Sequence, residues 1–347
     1  MSKERIVIKH RVEAVLAEAA DEVELRLAAF FDDPEDPETM HKLRVSIRTL
    51  RSLVRFVAPW QNAKQNRRAD QALRDVVRET SRLRELDVLE DQVRRMEPAP
   101  APDLVETCAS AAEAERARVA DLLRGDASQK LLMRARCATR CLRWRRNYAM
   151  EGLAREQVQQ RFDEILDAQN ARYEALDRAD GGNTHDVRKR AKEVRYAAAR
   201  FRKLLDDSAA DAAERMKGVQ DELGALCDAR VNVDLLSTFP IEGLSIRARR
   251  NLAEALAANY AFIDDALLES GVEQGAADEG VEEEVEAVAG EEAVDAVGEE
   301  AVVWGAPAAS VPAAKPPAAS APAADGALAG GVSADGPAHP LASPNRD

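Results

Sequence analysis

The amino-acid sequence predicts an all-α protein. Apolar residues recur at three- and four-residue spacings through most of the first 270 positions, which is the pattern of one face of a helix. Aromatic residues make up only 4% of a chain that is 46% hydrophobic, so Leu, Val and Ala must fill the core. That composition favours helices over an aromatic-rich β-sandwich, and no convincing strand pattern is present.

Segments rich in Pro, Gly and Asp divide the helical patterns. DDPEDPE follows the first pattern, EPAPAPD the third and DRADGGN the sixth. The expected helices cover residues 3–31, 39–59, 62–96, 103–124, 128–147, 153–177, 184–206, 210–238 and 245–269.

The negative charge is concentrated at the carboxyl end. The chain of 347 residues has a formal net charge of -14, and residues 271–347 hold 15 acidic and 2 basic side chains. This segment is first Glu-rich and then Ala/Pro/Ser-rich, so it cannot bury enough apolar surface to offset its chain entropy. We expect a helical domain over 5–269 and a disordered tail over 270–347, with a transient helix near 281–296. The tail is either a solubilising linker or a polyanion mimic that occupies a basic surface of the domain.

Several classes of protein are not indicated. No apolar run approaches the roughly 18 residues of a membrane helix, and the first residues lack a signal-peptide pattern, so we expect a cytoplasmic protein without membrane partners. Cys108, Cys137, Cys141 and Cys227 form no CxxC pair and have no histidine near them in sequence. Buried free thiols are therefore expected, and no metal site.

The helical body repeats itself. HKLRVSIRTLRSLVRFV at 41–57 matches HDVRKRAKEVRYAAARF at 185–201, and TSRLRELDVLEDQV at 80–93 answers ELGALCDARVNVDL at 222–235. The first histidine precedes Glu85 by 44 residues and the second precedes Asp228 by 43. A duplication over about 5–150 and 151–269 explains this spacing, and it predicts pseudo-twofold architecture.

Each copy carries a basic stripe opposite an apolar face. On a helix, the basic side chains of the first copy fall within a sector of roughly 80°. The members are His41, Arg44, Arg48, Arg51 and Arg55 in the first copy, and His185, Arg188, Lys192, Arg195 and Arg202 in the second. The stripes could be solvated and paired with acids on neighbouring helices. Their recurrence in register, and the preference for Arg over Lys, favour an anion site instead.

These residues carry a family resemblance. The paired histidine helices and their partner segments resemble the CHAD family, the conserved-histidine α-helical domain, over roughly residues 5–269. The resemblance implies two four-helix bundles related by pseudo-twofold symmetry, with inorganic polyphosphate bound along a basic central cleft. It implies phosphate-facing positions for His41, Arg44, Arg48, Arg51, His185, Arg188, Lys189, Lys192 and Arg195. Thr49, Glu85 and Cys227 depart from the family's usual residues.

Two further features leave alternatives open. The run RARCATRCLRWRR at 134–146 supplies Arg136, Arg140 and Arg143 around Trp144, either as another cleft wall together with Arg84 or as a nucleic-acid surface. Asp87 and Asp228 are expected to orient or neutralise arginines, with Mg²⁺ binding as the sharper alternative. Each histidine either contacts phosphate or has a structural hydrogen bond at the start of its helix.

Three functions fit these features to different degrees. The leading hypothesis is non-catalytic binding of inorganic polyphosphate, at polyphosphate granules or on proteins that bear polyphosphate. The alternatives are a nucleic-acid-binding helical protein, which the near-neutral body disfavours, and a helical scaffold without a polyanion ligand. An enzyme is not expected, because neither ExExK nor a Walker loop occurs, and no cofactor is implied.

Overall fold

A computed structural model describes residues 3–278, and α-helices account for most of them. The prediction of an all-α protein is confirmed: within these residues there is no strand, only an isolated antiparallel bridge between Gln61 and Trp144. A short 3-10 helix, Ala58–Trp60, follows the second α-helix. The α-helices are α1 Lys3–Asp32, α2 Pro37–Phe56, α3 Ala63–Glu79, α4 Ser81–Arg94, α5 Pro102–Arg124, α6 Asp126–Arg140, α7 Arg146–Glu151, α8 Arg155–Glu174, α9 Gly181–Phe201, α10 Ser208–Ser237 and α11 Ile246–Asp278.

Two predicted helices are interrupted. The helix expected over 62–96 breaks at Thr80, whose hydroxyl donates to the Val76 and Val77 carbonyls and so competes with the regular helical pattern. The helix expected over 128–147 ends at Arg140, and the next residues form a loop that pairs with the segment after the 3-10 helix. In that pairing the Asn62 N–H donates to the Arg143 carbonyl at 2.6 Å.

The carboxyl-terminal boundary also differs from the prediction. Helix α11 extends to Asp278, so residues 270–278, which we expected in a disordered tail, are helical. Half of the segment ESGVEQGAAD is Glu, Gln or Ala, which favour helix, and its two glycines weaken the helix without ending it. The rest of the predicted tail, with the transient helix near 281–296, lies outside the described residues.

The cysteines are only partly as expected. Cys108 and Cys227 are buried free thiols, whereas Cys137 and Cys141 are exposed near the end of α6, so the expectation that they are buried is wrong. They share the outer face of a helix whose inner face carries buried Ala135 and Thr139. In residues 3–278 no three metal-binding side chains are grouped as a metal site requires. None of the helices in that range has the length and apolar character to cross a membrane.

The order of the helices follows the sequence repeat. Helices α1, α2 and α5 correspond to α8, α9 and α11, and the unbroken α10 corresponds to α3 and α4 together. The larger contacts between the two copies join corresponding helices, α2 with α9, α4 with α10 and α5 with α11, and a smaller one joins α1 to α9. A twofold axis brings each element onto its own counterpart, so this pattern is compatible with the predicted pseudo-twofold arrangement.

The main hydrophobic core crosses the boundary between the repeats. It contains the apolar faces of both stripe helices, including Leu43, Ile47 and Val187, each 0% exposed. Phe56 of α2 stacks on Phe201 of α9 with 4.6 Å between ring centroids. A second core joins α4 and α5 to α11 and the end of α10. Burial of each large apolar side chain stabilises the fold by roughly 1.5–3 kcal/mol, so the core fixes α2 against α9.

The two stripe helices start in the same way. Asp36 caps α2 by accepting a hydrogen bond from the Glu38 N–H at 2.9 Å, and Asp180 caps α9 by accepting one from the Gly182 N–H at 2.8 Å. Each capping carboxylate lies five residues before a histidine of the repeat. The two caps therefore place each histidine at the same position relative to the start of its helix.

Candidate anion-binding site

Basic side chains from α2, α4 and α9 lie near one another where the two repeats meet. Their charges are close enough to influence one another's protonation across the helices. We call this group the basic cluster; its members are His41, Arg44, Arg48, Arg84, His185, Arg188 and Lys192. The structure thus brings together the first part of both predicted stripes, and it adds Arg84 from the predicted cleft wall.

Arg48 of the first repeat and Lys192 of the second lie near each other in the basic cluster. Burial, together with the positive charges of Arg188 and Arg48, lowers the pKa of Lys192 to about 8. Burial also lowers the pKa of Arg48. The Tyr196 hydroxyl offsets part of this decrease, and the positive charge of Arg188 adds to it. Among the described residues, neither side chain forms an ion pair or a side-chain hydrogen bond. Two cations from different repeats therefore lie close together, and no carboxylate of the described residues pairs with either.

Arg44 is built into the protein more deeply. Its side chain is buried and donates to the Val77 carbonyl at 2.7 Å, to the Thr80 hydroxyl at 2.6 Å and to the Ser81 hydroxyl at 3.3 Å. Burial lowers the pKa of Arg44 to about 9, which still leaves it protonated at neutral pH. The break between α3 and α4 supplies these neutral acceptors, so the charge is positioned without being neutralised.

Arg188 is the counterpart of Arg44 in the second repeat. It forms an ion pair with Asp228 at 3.1 Å, which agrees with the expectation that this carboxylate orients an arginine. Its guanidinium packs on α10 at Gly224, where a Cβ atom would lie 3.4 Å from one terminal nitrogen. The Nε atoms of Arg44 and Arg188 are both buried without a hydrogen-bond partner. Both guanidinium groups thus keep unused donor capacity.

The histidines differ in exposure but share a direction of pKa shift. His41 is half-buried, and burial together with the positive charge of Arg84 lowers its pKa below 6.5. His185 is exposed on one side, and protein atoms lie around the rest of its side chain. The partial loss of solvent, together with the positive charge of Lys189, lowers the pKa of His185 as well. No hydrogen bond joins either ring to another described residue, so the proposed structural hydrogen bond at the helix start is not observed.

The second half of the first stripe is neutralised. Arg51 and Arg55 donate from Nε to the same Asp70 oxygen at 2.8 and 2.9 Å. Arg55 also donates to Glu193 of α9 at 3.0 Å, which ties the two repeats together. These contacts lower the pKa of Asp70, although its burial acts in the opposite direction. Arg51 and Arg55 therefore belong to an ion-pair network and not to the basic cluster.

The remaining stripe residues lie at the edges. Lys189 forms a half-exposed ion pair with Asp186 at 3.4 Å. The Arg195 guanidinium lies 5.8 Å from the ring centroid of its neighbour Tyr196. Arg202 is exposed just after the end of α9.

The arginines of the 134–146 run are not brought to the basic cluster. Arg136 pairs with Glu24 of α1 at 2.6 Å, Arg140 pairs with Asp21 of α1, and Arg143 is exposed in the following loop. The indole N–H of Trp144 donates to Glu13 at 2.7 Å, and its ring is half-buried. Helical spacing identified a basic face, but it could not identify the acidic helix against which that face packs.

Asp87 pairs with an arginine, as expected, but this arginine is not a member of the basic cluster. Asp87 pairs with Arg116 of α5 at 2.7 Å, and the side chains are 1% and 9% exposed. Asp87 is turned into the interior, whereas Arg84, three residues earlier on the same helix, is turned to the basic cluster. This carboxylate is therefore buried and is not exposed to a bound anion.

Sequence reasoning missed several residues that shape the site. Asp70 and Glu193 neutralise part of a stripe, and neither belongs to a recognisable motif. Ser81 and Gly224 could have been found, because they correspond when the repeats are aligned on Glu85 and Asp228. The correspondence would have indicated that one arginine in each copy packs against these positions.

Comparisons with known proteins agree with this architecture. A model of the CHAD domain matches residues 14–237. A crystal structure of the CHAD domain from the plant Ricinus communis is similar, with a TM-score of 0.61 and 20% identity, covering 75% of this chain and 91% of that one. PptA from Streptomyces chartreusis has a TM-score of 0.55 and 14% identity, covering 74% of this chain and 95% of that one. No curated protein matches the chain.

Proposed function

Because the chain belongs to the CHAD domain family, we propose that it binds inorganic polyphosphate, without catalysis, in the basic cluster between its two repeats. One observation carries the proposal: Arg48 and Lys192 lie beside several positive charges, and neither forms an ion pair or a side-chain hydrogen bond with a described residue. Within residues 3–278, the one negative charge close to both, Asp228, is already paired with Arg188. A third cluster arginine, Arg44, is held by neutral acceptors only. A bound polyanion would supply the missing negative charge.

Phosphate chemistry suits these side chains. Planar guanidinium groups bind phosphate oxygens through paired hydrogen bonds, and several of them arranged across two helices match a linear chain of phosphates. Binding energy from such contacts comes largely from counterion release, so affinity should fall steeply with salt. We further propose that the protein associates with polyphosphate granules.

Nucleic acid is the less favoured polyanion. The aromatic residue in the densest basic run, Trp144, has its indole N–H committed to Glu13, and two arginines of that run are paired with α1. Stacking of bases needs a free aromatic face near unpaired arginines. The aromatic residue next to the basic cluster is Tyr196, which lies near Arg48.

The test uses cluster variants. Replacement of both central cations, Arg48→Gln with Lys192→Met, should weaken binding of long-chain polyphosphate by at least about tenfold, since two charge-assisted contacts are lost. A matched control, Lys203→Met, removes one exposed positive charge just after α9 and should leave affinity within about twofold. Equal affinity of the double variant and the wild type would overturn the assignment of the site.

A separate assay tests the absence of catalysis. Purified protein incubated with polyphosphate should release no orthophosphate above the background. Phosphate release that disappears in a His41→Ala variant would show that the protein is an enzyme.

A further inference from the structure

The positive charge of the first stripe is divided along α2. Toward the start of the helix, Arg44 and Arg48 lack carboxylate partners among the described residues, whereas toward its end Arg51 and Arg55 share Asp70. Asp70 comes from α3 and Glu193 from α9, so carboxylates of both repeats meet at this end of the stripe. The change from unpaired to paired cations occurs within one helical turn.

We infer that Asp70 and Glu193 set the end of the anion-binding surface and limit how many phosphates of a chain the protein engages. This rests on the proposed function and adds two specificity-determining residues to it. Both act through the arginines that they hold, so they are positioning residues.

The geometry explains why this end does not bind phosphate as it stands. One Asp70 oxygen accepts both Nε donors, at 2.8 and 2.9 Å, and a terminal nitrogen of Arg55 is held by Glu193 at 3.0 Å. The side chains of Arg51 and Arg55 are 14% and 23% exposed, so they are within reach of a ligand if released. A phosphate at this position would have to displace a bound carboxylate and would also be repelled by it.

The test is the salt dependence of binding in an Asp70→Asn variant. The variant should bind long-chain polyphosphate more tightly at low salt. For every phosphate that the freed arginines bind, affinity should fall by a further factor of about three between about 50 and 200 mM salt, so two such phosphates add about tenfold. Binding of tripolyphosphate, which is too short to reach beyond the basic cluster, should change by less than about twofold.

The chain offers a closely matched control. Asp75 lies on the same helix, pairs with Arg78 at 3.7 Å, and its side chain is 23% exposed, as is that of Asp70. Asp75→Asn removes the same charge and should leave the salt dependence at the wild-type value. Adding Arg51→Gln and Arg55→Gln to Asp70→Asn should abolish the tighter binding, since the freed arginines are its source.

The outcomes separate this inference from the proposed function. If polyphosphate binds the wild type and the Asp70→Asn and Asp75→Asn variants show equal salt dependence, the inference is wrong and the proposed function stands. Absence of wild-type binding overturns both. If Asp70→Asn does not fold, Glu193→Gln frees one terminal nitrogen of Arg55, which Asp70 still holds through Nε, and it also frees Arg190. This variant should show a smaller increase in salt dependence than the one expected for Asp70→Asn, an Arg190→Gln variant is its control, and wild-type behaviour of Glu193→Gln overturns the inference.

Discussion

Lys192 should make the free protein less stable than a neutral residue would. It lies next to Arg48 and Arg188, and burial in this positive environment lowers its pKa from 10.5 to about 8. A difference of this size corresponds to about 3 kcal/mol of unfavourable free energy for the charged form. Lys192→Met keeps most of the side-chain volume and removes the charge. Since the surroundings relax in part, we expect the variant to gain about 1–3 kcal/mol of stability at pH 7. Most substitutions in a protein interior lower the stability instead.

The pH dependence of this gain has a definite sign. Below about pH 8 the lysine is charged in both the folded and the unfolded chain, so the full cost is present. Between about pH 8 and 10.5 the unfolded chain binds more protons than the folded one, so the stability of the wild type rises with pH. The advantage of Lys192→Met should therefore be large at pH 7 and small near pH 10.

Urea unfolding at both pH values measures the effect, and thermal melts should show a rise of about 3–10 °C at pH 7. The exposed Lys203→Met variant is the control and should change stability by no more than about 0.5 kcal/mol. Equal or lower stability of Lys192→Met at pH 7 would refute the reasoning. A stability gain of Lys192→Met at pH 10 as large as the gain at pH 7 would also refute it.

Two other predictions follow from buried groups. Arg116→Met should lower the free energy of unfolding by about 3–5 kcal/mol in urea, because it leaves the 1% exposed Asp87 carboxylate without its partner. Adding Asp87→Leu should recover most of the loss. A double variant as unstable as Arg116→Met would contradict a buried pair. Polyphosphate binding should strengthen as the pH falls from about 7 to 5, because His41 and His185, with pKa values lowered below 6.5 in the free protein, take up protons beside a polyanion. Calorimetric titrations in buffers of different ionisation enthalpy measure this proton uptake. The absence of proton uptake would contradict a position of the histidines near the ligand.

The sequence predicts most of the helices because their apolar periodicity and their breaks are local signals. The faces of α2 and α9 follow from this periodicity, since Leu43, Ile47 and Val187 are buried where it places them. The break at Thr80 was missed because a threonine within a helical pattern carries little information about its hydroxyl. The apolar residues on both sides of it continue one helical period.

The site was predicted less completely because pairing between helices is not a local property. Arg44, Arg48, Arg51 and Arg55 have equivalent positions in the pattern, and the packing of α3 and α9 separates them into unpaired and paired groups. The repeat was a stronger guide than the density of charge. It led to the basic cluster, whereas the arginine-rich run led to ordinary ion pairs with α1.

A titration of the purified protein with long-chain polyphosphate at low and high salt, with single-stranded RNA of equal charge as competitor, tests the central claim most directly. We predict tight binding that weakens steeply with salt and that RNA does not displace, because the unpaired cations Arg48 and Lys192 lie in a cluster away from the arginine-rich run around Trp144. Displacement by RNA would show that the site takes polyanions generally. Absence of binding to either would contradict the proposal and leave a helical scaffold whose cations have another use.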